Sequence, residues 1–126
     1  MAKKPVCATH SNLRALCDHP RNLTDAQARE IFRRGGIVGL NLYPPFLGDA
    51  ASRLLAQLDR ALALGGEDCI GFGFDIDGID RYPVPLTDTS SLHDQVIGLL
   101  EGARLSPALI DKVAGGNWLR FLRENL

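Results

Sequence analysis

Cysteine, aromatic residues and surplus charge are all scarce in this chain. Its 126 residues include three cysteines, 6% aromatics and a formal net charge of -1. Cys7, Cys17 and Cys69 are odd in number and show no C-x-x-C spacing. That argues against a disulfide framework and against a structural zinc knot, and the three read as buried, reduced thiols suited to a cytoplasmic chain. No basic excess points to nucleic acid, and no acidic tail points to a charge-driven partner. No apolar run approaches the roughly 18–20 residues that span a bilayer, so no membrane span is expected. The short stretch Val6-Cys7-Ala8 after the N-terminal lysines is too brief for a signal-peptide core. No G-x-S-x-G elbow occurs and no cysteine is flanked by a recognisable base, which places an unrelated small metal-independent α/β hydrolase last among the readings.

What is present is an ordinary globular composition, 45% hydrophobic and 23% charged, at a length that suits one domain. Residues 5–9 form a short apolar run that reads as a buried strand. Thr24-Asp25-Ala26-Gln27 is a capping box, and Ala28, Ile31 and Phe32 follow at helical spacing up to Gly35-Gly36. Residues 37–43 read as a second strand, stopped by Pro44-Pro45. Residues 49–64 give the clearest helix, with Leu54, Leu55, Leu58 and Leu62 on one stripe and Arg53, Gln57 and Arg60 opposite. Residues 69–74 are apolar throughout, as in a parallel strand covered on both faces. A proline-containing loop follows, and helices are predicted over 91–101, 106–114 and 117–124. Ser106-Pro107 is a good helix start. Alternation of strand and helix argues for an α/β fold built of βαβ units around a parallel sheet.

In such sheets chemistry collects at the carboxyl ends of the strands. Three polar groups fall there: His10-Ser11-Asn12, then Asn41 and Tyr43, then Asp75-Ile76-Asp77-Gly78. His10 is a candidate metal ligand, or a loop histidine bonded to backbone. Asp75 is a candidate general acid/base or metal ligand, or part of an acidic turn. The D-x-D-G sequence also resembles the opening of a calcium loop, without the later ligands of an EF-hand. Arg21 can clamp a carboxylate or be a solvated loop residue. His19 and His93 lack partners at ligand spacing and read as surface residues.

Five segments together resemble the zinc peptidase family that includes renal (membrane) dipeptidase. They are Lys4-Pro-Val-Cys-Ala-Thr-His-Ser-Asn12, Asp18-His-Pro-Arg-Asn-Leu-Thr-Asp25, Gly39-Leu-Asn-Leu-Tyr-Pro-Pro-Phe-Leu47, Gly71-Phe-Gly-Phe-Asp-Ile-Asp-Gly78 and Gly115-Gly-Asn-Trp-Leu-Arg120. The likeness runs along the whole chain, in the family's order and spacing. It implies a (β/α)8 barrel with two zinc ions, hydrolysing dipeptides. It further implies that His10 binds one zinc, that Arg21 holds the substrate's terminal carboxylate and that Asp75 handles protons. Asn41 and Tyr43 match strand-end positions near the substrate pocket. Thr9 departs from the family's usual serine.

A barrel takes about 200–250 residues or more. Residues 1–126 therefore correspond to one C-terminal segment: the last three parallel strands of a TIM-type barrel with their helices and a helical C-terminus. The family's His-x-Asp ligands, bridging glutamate and a further ligand histidine precede the segment equivalent to Lys4. Two expectations follow. The chain alone carries too few ligands for the binuclear centre, and its open sheet edges favour an oligomer or a partner chain that completes the barrel. The competing expectation is a catalytically inactive oligomerisation or binding module derived from a dipeptidase.

Overall fold

The computed structural model describes residues 2–126. Three strands, β1 (Cys7–Ala8), β2 (Ile37–Leu40) and β3 (Ile70–Phe72), form a parallel sheet in that order. Cys7 stands opposite Ile37, Val38 opposite Ile70, and Leu40 opposite Phe72. All four β2 residues are buried, which accounts for a run with no polar alternation. Helix α1 (Asp25–Arg33) joins β1 to β2. A short helix, α2 (Pro44–Leu47), and α3 (Arg53–Ala63) join β2 to β3. After β3 come a 3₁₀ turn at Ile76–Gly78, α4 (Leu92–Gly102), α5 (Pro107–Asp111), a π turn over Lys112–Gly116, and α6 (Asn117–Asn125). No helix among the described residues is long and apolar enough to cross a membrane.

The local signals act as their chemistry requires. The Thr24 hydroxyl accepts from the Gln27 amide at 3.2 Å, and Gln27 Oε1 accepts from the Thr24 amide at 2.9 Å. Gly35 closes α1 in the left-handed region at φ 71°. Asp25 on α1 pairs with Arg60 on α3, and the Arg60 guanidinium holds the Asp25 carboxyl below its usual range. Ser106 caps α5, accepting from the Leu109 amide at 3.2 Å.

Four sequence expectations are corrected. Helix α3 begins at Arg53 rather than Asp49, because the preceding residues pair with the proline loop. The Val84 amide donates to the Asp49 carbonyl, and the Ala51 amide donates to the Val84 carbonyl, both at 2.8 Å. Gln57, expected on the solvent side of α3, is buried. Its Oε1 accepts from the Leu13 amide at 2.8 Å, so it fastens the loop after β1 to this helix. Pro44-Pro45 do more than stop β2: they open α2, where proline suits the first turn. Of the three free cysteines only Cys69 is buried; Cys7 and Cys17 are half-buried.

The C-terminal helix is tied to the sheet through its first two residues. Asn117 Nδ2 donates to the carbonyls of Glu67 and Ile70, at 2.8 and 2.7 Å. Trp118 Nε1 donates to the Phe72 carbonyl at 3.0 Å. The indole lies against Gly71, where a Cβ would approach Nε1 to 2.6 Å. The Gly-Gly-Asn-Trp segment thus secures β3, which ends three residues before Asp75.

Candidate active site

The three polar groups lie where the strand order puts them, beyond the carboxyl ends of β1, β2 and β3. Backbone contacts draw these ends together. The Ser11 amide donates to the Gly39 carbonyl at 2.8 Å, and the Gly73 amide to the Leu40 carbonyl at 2.9 Å. The Thr9 carbonyl crosses so close to Gly39 and Gly73 that a Cβ at either would run into it. At Gly73 such an atom would also stand 3.2 Å from His10 Cα. Two glycines therefore let the backbone carrying His10 pass beside the strand that leads, two residues later, to Asp75.

His10 is half-buried, and both ring nitrogens are engaged. Nδ1 lies 2.8 Å from Thr9 Oγ1, and Nε2 lies 3.1 Å from an Arg21 Nη2. A guanidinium has no acceptor, so Nε2 accepts and the ring proton resides on Nδ1, donated to the threonine oxygen. Arg21 is exposed and comes from the loop before α1. Its guanidinium carbon stands 5.5 Å from the centre of the Phe46 ring. Its backbone amide donates to His19 Nδ1 at 3.1 Å.

Tyr43 meets the same Phe46 ring edge-on, with centroids 5.1 Å apart and planes at 83°. Asn41 lies beneath, fully buried. Its Oδ1 accepts from the Tyr43 amide, while its Nδ2 has no protein partner. Asp75 is exposed and holds a left-handed backbone, φ 58° and ψ 42°. Aspartate tolerates that region better than most residues, and such outliers cluster at functional positions. Its carboxylate overhangs Gly78, where a Cβ would lie 2.5 Å from Oδ1.

Arg21, Tyr43 and His19 thus gather around Phe46, His10 joins them through Arg21, and Asp75 follows the neighbouring strand β3. Three contributors escaped the sequence reading, His19, Asn22 and Phe46, and Asn12, expected at the strand end, takes a buried place there. Asn12 is buried, and pairs with the Asn41 backbone: its Oδ1 accepts from the amide at 2.9 Å and its Nδ2 donates to the carbonyl at 3.0 Å. His19, read as a surface residue, is half-buried with its ring 4.6 Å from that of Phe46. Asparagines in a polar loop carry no sequence signal of burial, so only their place in the matching segments marked them.

Among the described residues no group of three or more His, Cys, Asp and Glu side chains is placed to hold a metal ion. His10 offers one ligand nitrogen, and Arg21 occupies it. The donor set of this chain alone does not fit a binuclear metal centre.

A parallel sheet of βαβ units with its polar residues at the strand carboxyl ends defines the class: an α/β protein. Comparison with known proteins gives the family. The family model for membrane dipeptidase (peptidase family M19) matches residues 1–125, and the chain belongs to that family. An uncharacterised protein in the pqqA 5' region of Klebsiella pneumoniae is 38% identical over 131 residues, covering 98% of this chain and 48% of the relative. Dipeptidase aclJ of Aspergillus oryzae is 34% identical, covering 98% of this chain and 31% of the relative. A crystal structure of a metallopeptidase from Rhodobacter sphaeroides, liganded with a phosphinate mimic of the dipeptide L-Ala-D-Ala, superposes with a TM-score of 0.89 at 31% identity. That match covers 99% of this chain and 37% of the solved one. The chain therefore spans less than half the length of each of these relatives.

Proposed function

We propose that this chain is the C-terminal barrel segment of a zinc-dependent dipeptidase, and that it acts on dipeptides only when the rest of the barrel is supplied. The observation that carries the reading is the contact between Arg21 and His10. It sets a carboxylate-reading cation beside a candidate metal ligand at a strand end. In this reading Arg21 binds the terminal carboxylate of a dipeptide through a charge-assisted, two-pronged contact. Tyr43 borders that subsite. Asp75 takes the proton of the attacking water and delivers it to the leaving amine. His10 supplies one ligand, and the others come from outside residues 1–126. Two zinc ions are the number that the family resemblance suggests. The Rhodobacter relative's dipeptide mimic supports the substrate class.

The second reading, an interaction module without catalysis, is favoured by apolar exposure. Leu119 and Leu122 on α6 and Leu126 just after it are exposed, and a hollow of about 470 Å³ beside α1 is lined by Leu23 and Ile31. Both readings expect an oligomer or a partner chain, and light scattering that finds a monomer at high concentration contradicts that part. Dipeptide hydrolysis separates the readings. The chain with zinc should be inactive, and mixing it with a separately produced N-terminal portion of a relative should restore turnover. Turnover by the chain alone overturns the divided site, and a stable but inactive, metal-free mixture favours the module.

A further inference from the structure

We propose that Phe46 is a positioning residue for Arg21: its ring is the surface that holds the guanidinium ready for a substrate carboxylate. The inference rests on the dipeptidase reading above and assigns part of its specificity to a residue that does not touch substrate.

Three site side chains meet one ring. His19 lies 4.6 Å from Phe46, Tyr43 lies 5.1 Å away edge-on, and the Arg21 guanidinium stands 5.5 Å from the ring centre. The ring in turn is fixed through its own backbone. Helix α2 has only four residues, so its last carbonyls lack helical partners. The Phe46 carbonyl instead accepts from two buried amides, Asn22 Nδ2 at 2.8 Å and Asn12 Nδ2 at 3.2 Å. Asn12 is bonded to the end of β2 through Asn41. Asn22 directly follows Arg21. One carbonyl thus links the strand end, the arginine loop and the aromatic helix.

The physical role follows from what Arg21 lacks. It is exposed, and a free arginine side chain has much rotamer entropy to lose when it is ordered. Ordering it at the moment of binding would weaken recognition of the carboxylate. An aromatic face attracts the cation and restricts it beforehand; Nη2 donates to His10, and the guanidinium's other N–H groups remain for a two-pronged contact. Leucine would fill much of the same space without offering that face.

The test begins with the chain as it is. Nuclear magnetic resonance should show the Arg21 side-chain protons shifted upfield by the Phe46 ring, and Phe46→Leu should abolish the shift while Phe46→Tyr keeps it. Backbone amides of β2 and β3 should stay in place in both variants. Arg21 protons unshifted in the native chain, or unchanged in Phe46→Leu, overturn the proposal; the native measurement decides even where the leucine variant fails to fold. In the enzyme completed by an N-terminal portion, Phe46→Leu should raise KM for a dipeptide about two- to fivefold with kcat little changed, and Phe46→Tyr should restore it. A fall in kcat at constant KM contradicts a positioning role. Absence of turnover in every mixture sinks the dipeptidase reading, and the Arg21 shift still decides the case of Phe46.

Discussion

The Arg21 guanidinium donates to His10 Nε2 at 3.1 Å, and so uses the lone pair that a metal would take. Within this chain the proposed substrate clamp and the proposed metal ligand satisfy each other. The same contact fixes the tautomer of His10. Long-range proton–nitrogen correlation should find the ring proton on Nδ1, and Arg21→Ala should relax it toward a mixture of tautomers. A native ring protonated on Nε2 contradicts the geometry.

Asn12 should matter for stability more than a loop asparagine ordinarily does. It serves the Asn41 amide, the Asn41 carbonyl and the Phe46 carbonyl at once. Asn12→Ala strands a buried amide, a loss of about 1–3 kcal/mol for that group alone. Urea unfolding should show a lower midpoint and an unfolding free energy smaller by at least that amount, and an unchanged midpoint would mean that water replaces the side chain.

Gly73 should refuse any side chain. Gly73→Ala places a methyl group into the Thr9 carbonyl, and backbone on both sides leaves little room to relax. The expected cost is about 1–3 kcal/mol or more, with faster hydrogen exchange at the ends of β1 and β3. Gly98 has open space around it and is the matching control. Equal stability of the two alanine variants would refute the close approach.

Acid should loosen the start of α4 through Asp88. Its carboxylate accepts from the Ser90 hydroxyl and from the amide and hydroxyl of Ser91, which pulls its pKa down to about 2. A depressed carboxyl stabilises the folded state fully above its ordinary range and loses that contribution as pH falls through about 2. Melting temperatures of the native chain and of Asp88→Asn should therefore differ at neutral pH and converge as the pH falls from about 4 to about 2. A gap that persists unchanged at pH 2 contradicts the assignment.

Much of this architecture is legible in the sequence because it follows from short-range chemistry. The capping box at Thr24, the apolar runs of β2 and β3 and the Ser106-Pro107 start each act within a few residues. The candidate residues were found by motif, and the parallel strand order explains why they share one end of the sheet. What stayed hidden depends on distant partners. Gln57 looks solvent-facing on a helical wheel, and only its bond to Leu13 makes burial tolerable. The Asp49–Ser52 segment has helix-compatible residues, yet Val84, more than thirty positions later, holds part of it as a bridge. Phe46 carries no role in the sequence beyond its place in a matching segment, because nothing local reveals that Arg21, His19 and Tyr43 converge on it.

The central claim is that residues 1–126 hold part, and not all, of a dipeptidase metal centre. Metal content after gel filtration tests it most directly, by elemental analysis of the chain alone and of its complex with a separately produced N-terminal portion of a relative. The account predicts far less than one zinc per chain alone and about two per complex, as two-metal hydrolases hold. Two tightly held zinc ions on the chain by itself would contradict it.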